Sequence, residues 1–188
     1  MPSDRCRYSP GGTFFFSVML DPDQDLSLID NLALLRAVYA KALSENPFQT
    51  LAIVILPDHL HAVWRLPDGD SHYALRWRKI KARFSNGIGQ LRSDRPPHLR
   101  KGELGLWQRR HWEREIGNED DLSKHLAYCW SDPVRHGLVR KASDWFASSI
   151  HREIRSGRLA SDWVAPRLSG TFGERGEIRH KEALIEPV

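Results

Sequence analysis

The sequence predicts an α+β fold of the ferredoxin-like, split-βαβ kind, in which a mostly antiparallel sheet carries helices on one face. Three observations predict it. Short apolar and β-branched segments typical of strands alternate with longer segments whose apolar residues recur at helical intervals. Their order is strand, helix, strand, strand, helix, strand, helix, and turn signals separate them. A split-βαβ topology is the most economical arrangement for that order.

The first strand and the first helix are marked by residue type and by their boundaries. Residues 12–20 (GTFFFSVML) are rich in aromatic and β-branched residues, which predicts a strand. Ser27 and Asp30 have the spacing of a capping box, with Asp in place of the usual Glu or Gln. Apolar residues then recur at helical intervals as far as Asn46 and Pro47, where a helix is expected to end.

Two strands are expected next. Residues 49–56 form a continuous apolar run typical of a central strand, and Pro57 and Asp58 are a turn signal before residues 59–66. Alternate side chains of a strand point to opposite faces. One face of the second strand carries His59, His61, Val63 and Arg65, and the other carries Leu60, Ala62, Trp64 and Leu66. The latter is a core face without any help from histidine.

A second helix is expected from residue 71, with an apolar stripe beside a basic stripe. The apolar stripe consists of Tyr73, Trp77, Ile80 and Phe84, and the basic stripe of Arg76, Lys79 and Arg83. Gly87 and Gly89 are expected to end this helix, and residues 91–105 predict a loop.

The last part of the chain predicts one more strand and two helices. Residues 106–116 alternate well enough for a strand, and a helix is expected from residue 118 or 119 to about residue 133. Residues 145–154 predict a short helix. We expect one domain over residues 1–155 and a peripheral or partly disordered C-terminal tail over residues 156–188.

The composition is that of an ordinary globular protein, with 40% hydrophobic and 28% charged residues among 188. The longest apolar run is far shorter than the roughly 20 residues of a membrane span, and the N-terminus lacks the features of a signal peptide. Only Cys6 and Cys129 occur, so neither a disulfide framework nor a four-thiolate zinc site is expected. These observations favour a reduced, cytoplasmic protein.

The charge is unevenly distributed along the chain. Residues 1–70 carry 5 basic and 9 acidic side chains, residues 71–115 carry 12 and 4, and residues 116–188 carry 11 and 11. A basic middle third in a chain with a pI of about 9.3 indicates a polyanionic partner. A solvated basic face without a partner is the alternative.

Two pairs of residues are candidates for chemistry. His59 and His61 lie two apart on a strand, so their side chains share a face about 6–7 Å apart and can chelate one divalent ion. Tyr128 and Asp132 lie at i and i+4 of the predicted helix, where a phenol offers a nucleophile and a carboxylate offers a hard oxygen ligand. The alternatives are polar residues on a half-exposed strand, a half-buried tyrosine, and an aspartate that leads into a turn.

Two longer motifs resemble those of a known family. They are L-P-D-H-L-H at residues 56–61 and Y-C-W-S-D-P-V-R-H-G-L-V at residues 128–139. They are similar to M-P-N-H-V-H and Y-I-H-x-N-P-V-R-A-G-L-V of the one-tyrosine HUH transposases, in the branch associated with repetitive extragenic palindromes (REPs). Between and after them stand W-Q-x-x-H-x-x-R at residues 107–114 and W-x-x-S-S at residues 145–149, where the family has W-Q-x-x-Y/F-x-x-R and W-x-S-S.

The four elements occur in the family's order and cover about residues 10 to 155. The chain departs from the family pattern at Leu56, Asp58 and Trp130, where Met, Asn and His are usual. It also has Asp132 where Asn is usual, and a carboxylate there binds a divalent cation more strongly than an amide does.

The resemblance implies the HUH endonuclease fold and a particular chemistry. It implies that His59, His61 and Asp132 hold Mg²⁺ or Mn²⁺ against a scissile phosphate. Tyr128 would then be the nucleophile, releasing a 3′-hydroxyl and forming a covalent 5′-phosphotyrosine. Because this step conserves bond energy, no nucleotide cofactor is expected, and the sequence contains no G-x-x-x-x-G-K-[ST] loop.

The implied partner is single-stranded DNA folded into a palindromic hairpin, with no membrane partner and with a monomer favoured over a homodimer. Seven basic residues are expected to contact phosphates: Arg76, Arg78, Lys79, Lys81, Arg83, Arg109 and Arg110. One alternative is a domesticated hairpin-binding protein that has lost turnover. A more remote one is a plasmid-type replication initiator or relaxase, which the short chain disfavours.

Overall fold

The computed structural model describes residues 10–91, 105–109, 111–167 and 172. Four antiparallel strands form one sheet in the order β2-β3-β1-β4. The strands are β1 (Thr13–Met19), β2 (Gln49–Ile55), β3 (His59–Arg65) and β4 (Trp112–Ile116). The helices are α1 (Leu32–Glu45), α2 (Tyr73–Leu91), α3 (Glu119–Arg135) and α4 (Ile150–Arg155), with a short 3₁₀-helix at Ala142–Asp144.

The predicted α+β fold of the split-βαβ kind is confirmed. The β1-α1-β2 and β3-α2-β4 units interleave, so that β1 and β3 are the two inner strands. In the register of this inner pair, Met19 lies opposite His59 and Ser17 opposite His61. The two histidines therefore lie at the centre of the sheet, at the end where β1 finishes and β3 begins.

The helices do not share one face of the sheet, which corrects one detail of the sequence prediction. On one face, Trp64 of β3 stacks on Trp77 of α2 at 4.3 Å between ring centroids. On the other face, Phe15 of β1 packs edge-on to Tyr128 of α3 at 5.8 Å. The reason lies in residues 14–16, three consecutive phenylalanines that are all fully buried. Successive strand residues point to opposite faces, so both faces have to be covered.

The helix α2 does not end at its glycines but continues through them to Leu91. A Cβ added at Gly87 would lie 2.8 Å from the Cδ1 and Cδ2 atoms of Leu34 in α1. Gly87 therefore allows α1 and α2 to approach closely. Tertiary packing has overridden the low helix propensity of glycine at this position.

Three other boundaries differ from the sequence prediction. Only Trp112–Ile116 of the expected strand pairs as β4, and Trp107 makes an isolated bridge to Leu20. The Oγ of Ser27 accepts two backbone N–H groups, but the turn that it caps precedes α1. The helix α3 includes Pro133, which removes only one backbone donor in the last turn. The predicted loop lies almost wholly outside the described residues.

The segment 145–149 covers the outer edge of β2 rather than forming a helix. Ser149 donates its backbone N–H to Ile53 O at 2.8 Å, and Ile55 donates its own to Ala147 O at 2.9 Å. The indole Nε1 of Trp145 also donates to Ile55 O at 2.9 Å. These bonds satisfy an exposed strand edge, and α4 begins only after them.

Part of the predicted tail packs against α3. Trp163 meets Trp130 edge-on at 5.9 Å between centroids, and the ring of Phe172 stacks on Tyr128 at 4.4 Å. The division at residue 155 stays a prediction. Among the described helices, none combines the length and the apolar character that a membrane crossing requires.

Candidate metal centre and nucleophile

The two histidines of β3 face α3, and the Nδ1 atom of each ring makes a hydrogen bond that holds the ring. Their exposed fractions are 2% for His59 and 1% for His61. The carboxylate of Asp58 accepts a hydrogen bond from Nδ1 of His59 at 2.7 Å, and Ser17 Oγ hydrogen-bonds Nδ1 of His61 at 2.7 Å. Such second partners fix the orientation of a ligating imidazole. They leave the Nε2 atoms directed towards α3.

The Nε2 atoms meet the carboxylate of Asp132. They lie 3.1 Å (His59) and 3.2 Å (His61) from its Oδ2 atom. The side chain is completely buried, which by itself would raise the pKa of the carboxyl group. Hydrogen bonds from His136, His59 and His61 outweigh burial and hold the pKa of Asp132 well below its usual range. Asp132 is therefore a buried anion.

The buried anion is balanced by positive charge on His59. Burial would lower the pKa of His59, but its interactions with Asp132 and Asp58 outweigh that effect and raise the pKa to about 9. A cluster of this kind stabilises a cation, which is either the proton of His59 or a metal ion that replaces it.

The separation of each histidine nitrogen from Asp132 suits a divalent cation. Neighbouring ligands of one ion, at bond lengths of about 2.1 Å, are roughly 3.0–3.4 Å apart, and the two Nε2 to Oδ2 distances lie in that range. The structure thus places His59 and His61 beside Asp132, and the expectation that these three residues bind one ion stays a prediction. Two nitrogens and one hard oxygen suit several divalent ions, so the chemistry of the donors does not select one.

Tyr128 lies one turn before Asp132 on the same face of α3. Its ring packs edge-on to that of His61 at 5.3 Å between centroids, so the phenol is adjacent to the donor cluster. The ring of Phe172 stacks on the ring of Tyr128, and the guanidinium carbon of Arg135 lies 4.3 Å from the centroid of the Tyr128 ring. Tyr128 is completely buried. Its hydroxyl group is therefore shielded from solvent in this structure.

The sequence interpretation missed His136. Its Nε2 lies 3.5 Å from Oδ1 of Asp132, whereas His61 contacts Oδ2. Among the described residues, His59, Asp132 and His136 offer ligand atoms that all lie within 4.8 Å of one another. The sequence signal that could have identified His136 is its i, i+4 spacing from Asp132. The family pattern has alanine at this position, so the resemblance assigned it no role.

The predicted basic stripe of α2 faces α1 rather than open solvent. Arg76 is 3% exposed, and its guanidinium group donates to both carboxylate oxygens of Asp70 and to the carbonyl oxygens of Asn46 and Pro47. This differs from the expected phosphate contact, because charge alone does not tell which cations are buried. Lys79 and Arg83 form ion pairs with Glu45 at the end of α1, at 3.4 and 2.8 Å.

Two of the other expected phosphate ligands, Arg78 and Lys81, lie on a different side of α2. Arg78 and Arg109 are exposed, and Arg110 lies outside the described residues. Lys81 is half-buried, donates to the carbonyl oxygen of Gln108 at 3.2 Å and lies 5.8 Å from the ring centroid of Trp107. Burial lowers the pKa of Lys81 to about 8.

A histidine pair on an inner strand, facing a helix that carries a tyrosine and an aspartate in a split-βαβ fold, defines the HUH class of fold. Comparison of the sequence with two relatives shows to which group within this class the chain belongs. The chain is 35% identical over 175 residues to the REP-associated tyrosine transposase of Escherichia coli (strain K12), covering 93% of this chain and 98% of that protein. A Haemophilus influenzae protein, assigned provisionally to the same group by its name, is 35% identical over 164 residues, or 87% and 93% of the two chains.

The fold agrees with these relatives. A solved REP-associated tyrosine transposase bound to a REP hairpin superimposes with a TM-score of 0.81 at 34% identity, covering 94% of this chain and 99% of that one. No protein-family profile matches the chain. The chain belongs to the REP-associated tyrosine transposases.

Proposed function

We propose that this transposase is a metal-dependent endonuclease and strand transferase that acts on single-stranded, palindromic DNA hairpins of the REP type. The observation that carries the proposal is the convergence of Tyr128 with the donor cluster, in which His59 and His61 lie within 3.2 Å of Asp132. The solved relative bound to a REP hairpin supports this class of substrate.

His59, His61 and Asp132 would hold Mg²⁺ or Mn²⁺, which would neutralise charge that develops on the phosphate oxygens. The hydroxyl oxygen of Tyr128 attacks the phosphorus, the phenolic proton departs, and the bond from phosphorus to the 3′ oxygen breaks. The 3′ oxygen leaves as a hydroxyl group after taking up a proton. The products are a free 3′ end and a 5′-phosphotyrosine, from which another 3′-hydroxyl can displace Tyr128.

The exposed and half-buried basic side chains near Gln108 bind the DNA phosphates. Lys81 contacts the carbonyl of Gln108, and the backbone N–H of Gln108 donates to Met19 O at 3.0 Å. Met19 in turn lies opposite His59 in the sheet. This chain of contacts supports a phosphate-binding surface of Arg78, Lys81 and Arg109 at the same end of the sheet as the metal centre, with Arg110 beside it in sequence.

The test is incubation of a labelled REP-type hairpin with Mg²⁺ or Mn²⁺, followed by denaturing electrophoresis. We expect a covalent protein–DNA adduct that Tyr128→Phe abolishes. Tyr73→Phe is the matched control, because it removes a tyrosine hydroxyl that bonds Glu113 on the other face of the sheet.

Persistence of the adduct in Tyr128→Phe would contradict the assignment of the nucleophile. Hairpin binding without any adduct under either metal, unaffected by His59→Ala and His61→Ala, would instead identify a hairpin-binding protein without turnover.

A further inference from the structure

His136 is held in a fixed position beside the proposed metal centre. It follows α3 directly, and its backbone N–H donates to Asp132 O at 2.9 Å. Its ring packs edge-on to the ring of His59, with centroids 5.1 Å apart, and its side chain is only 11% exposed. A third imidazole therefore lies within the cluster formed by β3 and α3.

The carboxylate of Asp132 divides its two oxygens among the three imidazoles. Oδ2 faces His59 and His61, whereas Oδ1 faces Nε2 of His136 at 3.5 Å. A separation of 3.5 Å is long for a hydrogen bond between nitrogen and oxygen. It is close to the roughly 3.0–3.4 Å that separates neighbouring ligands of one ion. Both groups are therefore close enough to bind one shared cation.

We propose that His136 is a further protein ligand of the metal ion, so that the centre consists of three imidazoles and one carboxylate. This inference rests on the metal centre of the proposed function and adds a ligand to it. Imidazole donors favour first-row transition metals over Mg²⁺. Mg²⁺ prefers oxygen ligands and gives up its bound water molecules reluctantly. A third imidazole should therefore shift the selectivity of the site towards Mn²⁺ and away from Mg²⁺.

The competing account is that His136 only orients the carboxylate of Asp132 and never binds the ion. The two accounts differ in the number of nitrogen atoms bound to the metal. Loss of a merely orienting group also weakens metal binding, about 10- to 100-fold, so affinity alone does not separate them. A count of the bound nitrogens does.

The experiment is pulsed electron paramagnetic resonance of DNA-free protein loaded with Mn²⁺. The modulation from ¹⁴N should show three bound imidazoles in the wild type and two in His136→Ala, and His136→Gln should agree with His136→Ala. The exposed His72 provides the matched control, so His72→Ala should retain three. Thermal unfolding of each variant verifies that it is folded.

Titrations with Mn²⁺ and Mg²⁺ complete the test. We expect His136→Ala to weaken Mn²⁺ binding at least tenfold and Mg²⁺ binding by a smaller factor. Two bound imidazoles in the wild type and in His136→Ala alike would overturn the assignment of His136 while leaving the proposed metal centre intact. If the wild-type protein binds neither Mn²⁺ nor Mg²⁺, both proposals fail.

Discussion

Two buried or half-buried carboxylates show how single residues decide where charge is tolerated in this protein. Asp132 is ionised in the interior because imidazoles surround it, and in our proposal it binds the metal ion. Asp70 is ionised because the guanidinium group of Arg76 donates to both of its oxygens, at 3.1 and 2.6 Å. In our proposal the first carboxylate takes part in the chemistry, whereas the second stabilises the fold. The difference lies in the partner, a titratable ligand in one case and a permanent cation in the other.

The pairing of Asp70 with Arg76 makes a prediction about stability. Hydrogen bonds from Arg76 hold the pKa of Asp70 below its ordinary value, so the contribution of Asp70 is present above a pH of about 4 and is lost as the pH falls through the lowered value. Asp70→Asn should lower the free energy of unfolding at pH 7 by about 1–2 kcal/mol. The difference from wild type should shrink in urea titrations below pH 4.

The surface pair of Asp120 and Lys124 supplies the control for this prediction. Both side chains are largely exposed, so Asp120→Asn should leave stability at pH 7 unchanged within error. An equal loss in the two variants would show that the burial of Arg76 does not strengthen its pairing with Asp70.

At the scale of the element, α2 has two basic sides with different tasks. Arg76, Lys79 and Arg83 hold the end of α1 through Glu45, Asn46 and Pro47, where the negative end of the helix dipole also favours cations. Arg78 and Lys81 lie on the side that adjoins Gln108. A single basic helix in the sequence thus serves both for packing and, in our proposal, for binding DNA.

The lowered pKa of Lys81 predicts a pH dependence of DNA binding. With a pKa of about 8, Lys81 is charged below that pH and neutral above it, so hairpin affinity should fall between pH 7 and pH 9. Lys81→Arg retains the charge throughout this range and should flatten the curve. The measurement is fluorescence anisotropy of a labelled hairpin at constant ionic strength.

The matched control is Lys79→Arg, because Lys79 lies on the other side of the helix and is engaged by Asn46 and Glu45. It should bind DNA with the same pH dependence as the wild type. An undiminished pH dependence in Lys81→Arg would exclude Lys81 as its source. In Lys81→Ala, the slope of log affinity against log salt concentration at pH 7 should decrease by about the value of one phosphate contact.

At the scale of the whole molecule, the site exists only where two layers meet. The sheet supplies His59 and His61, and α3 supplies Tyr128 and Asp132. The distances between their atoms therefore depend on how α3 docks on the sheet. Phe15 of the central strand β1 packs against both His61 and Tyr128, so the apolar core also sets the geometry of the site.

Sequence patterns predicted the parts of this arrangement that follow from local spacing. The i, i+2 spacing of His59 and His61 and the i, i+4 spacing of Tyr128 and Asp132 fixed which side chains share a face. The resemblance to a family then supplied the expectation that the two pairs meet. The order of elements was also correct, because strand and helix periodicities are local properties.

What the patterns missed depends on tertiary contact. The helix α3 covers the second face of the sheet because three consecutive phenylalanines are buried. Local spacing does not show whether a residue is buried, so this position was not predicted. Arg76 appeared as one more cation in a basic stripe, although it is buried on Asp70. Gly87 appeared as a helix stop, whereas close packing against Leu34 gives it a place inside α2.

The docking of α3 on the sheet leads to a last prediction, which concerns Ser149. Its Oγ accepts the backbone N–H of Ile53 in β2 at 2.9 Å and the indole N–H of Trp130 in α3 at 3.0 Å, and so ties the two layers together. Ser149→Ala leaves both donors without this acceptor and should lower the free energy of unfolding by about 1–3 kcal/mol. It should also slow adduct formation, because Trp130 lies between Tyr128 and Asp132 in the sequence of α3.

Ser148→Ala is the matched control. The hydroxyl group of Ser148 accepts a local bond from Ile150, so its loss should change neither stability nor adduct formation. Equal stability loss and unchanged adduct formation in the two variants, measured by urea unfolding and by gel, would show that Ser149 does not fix the position of α3.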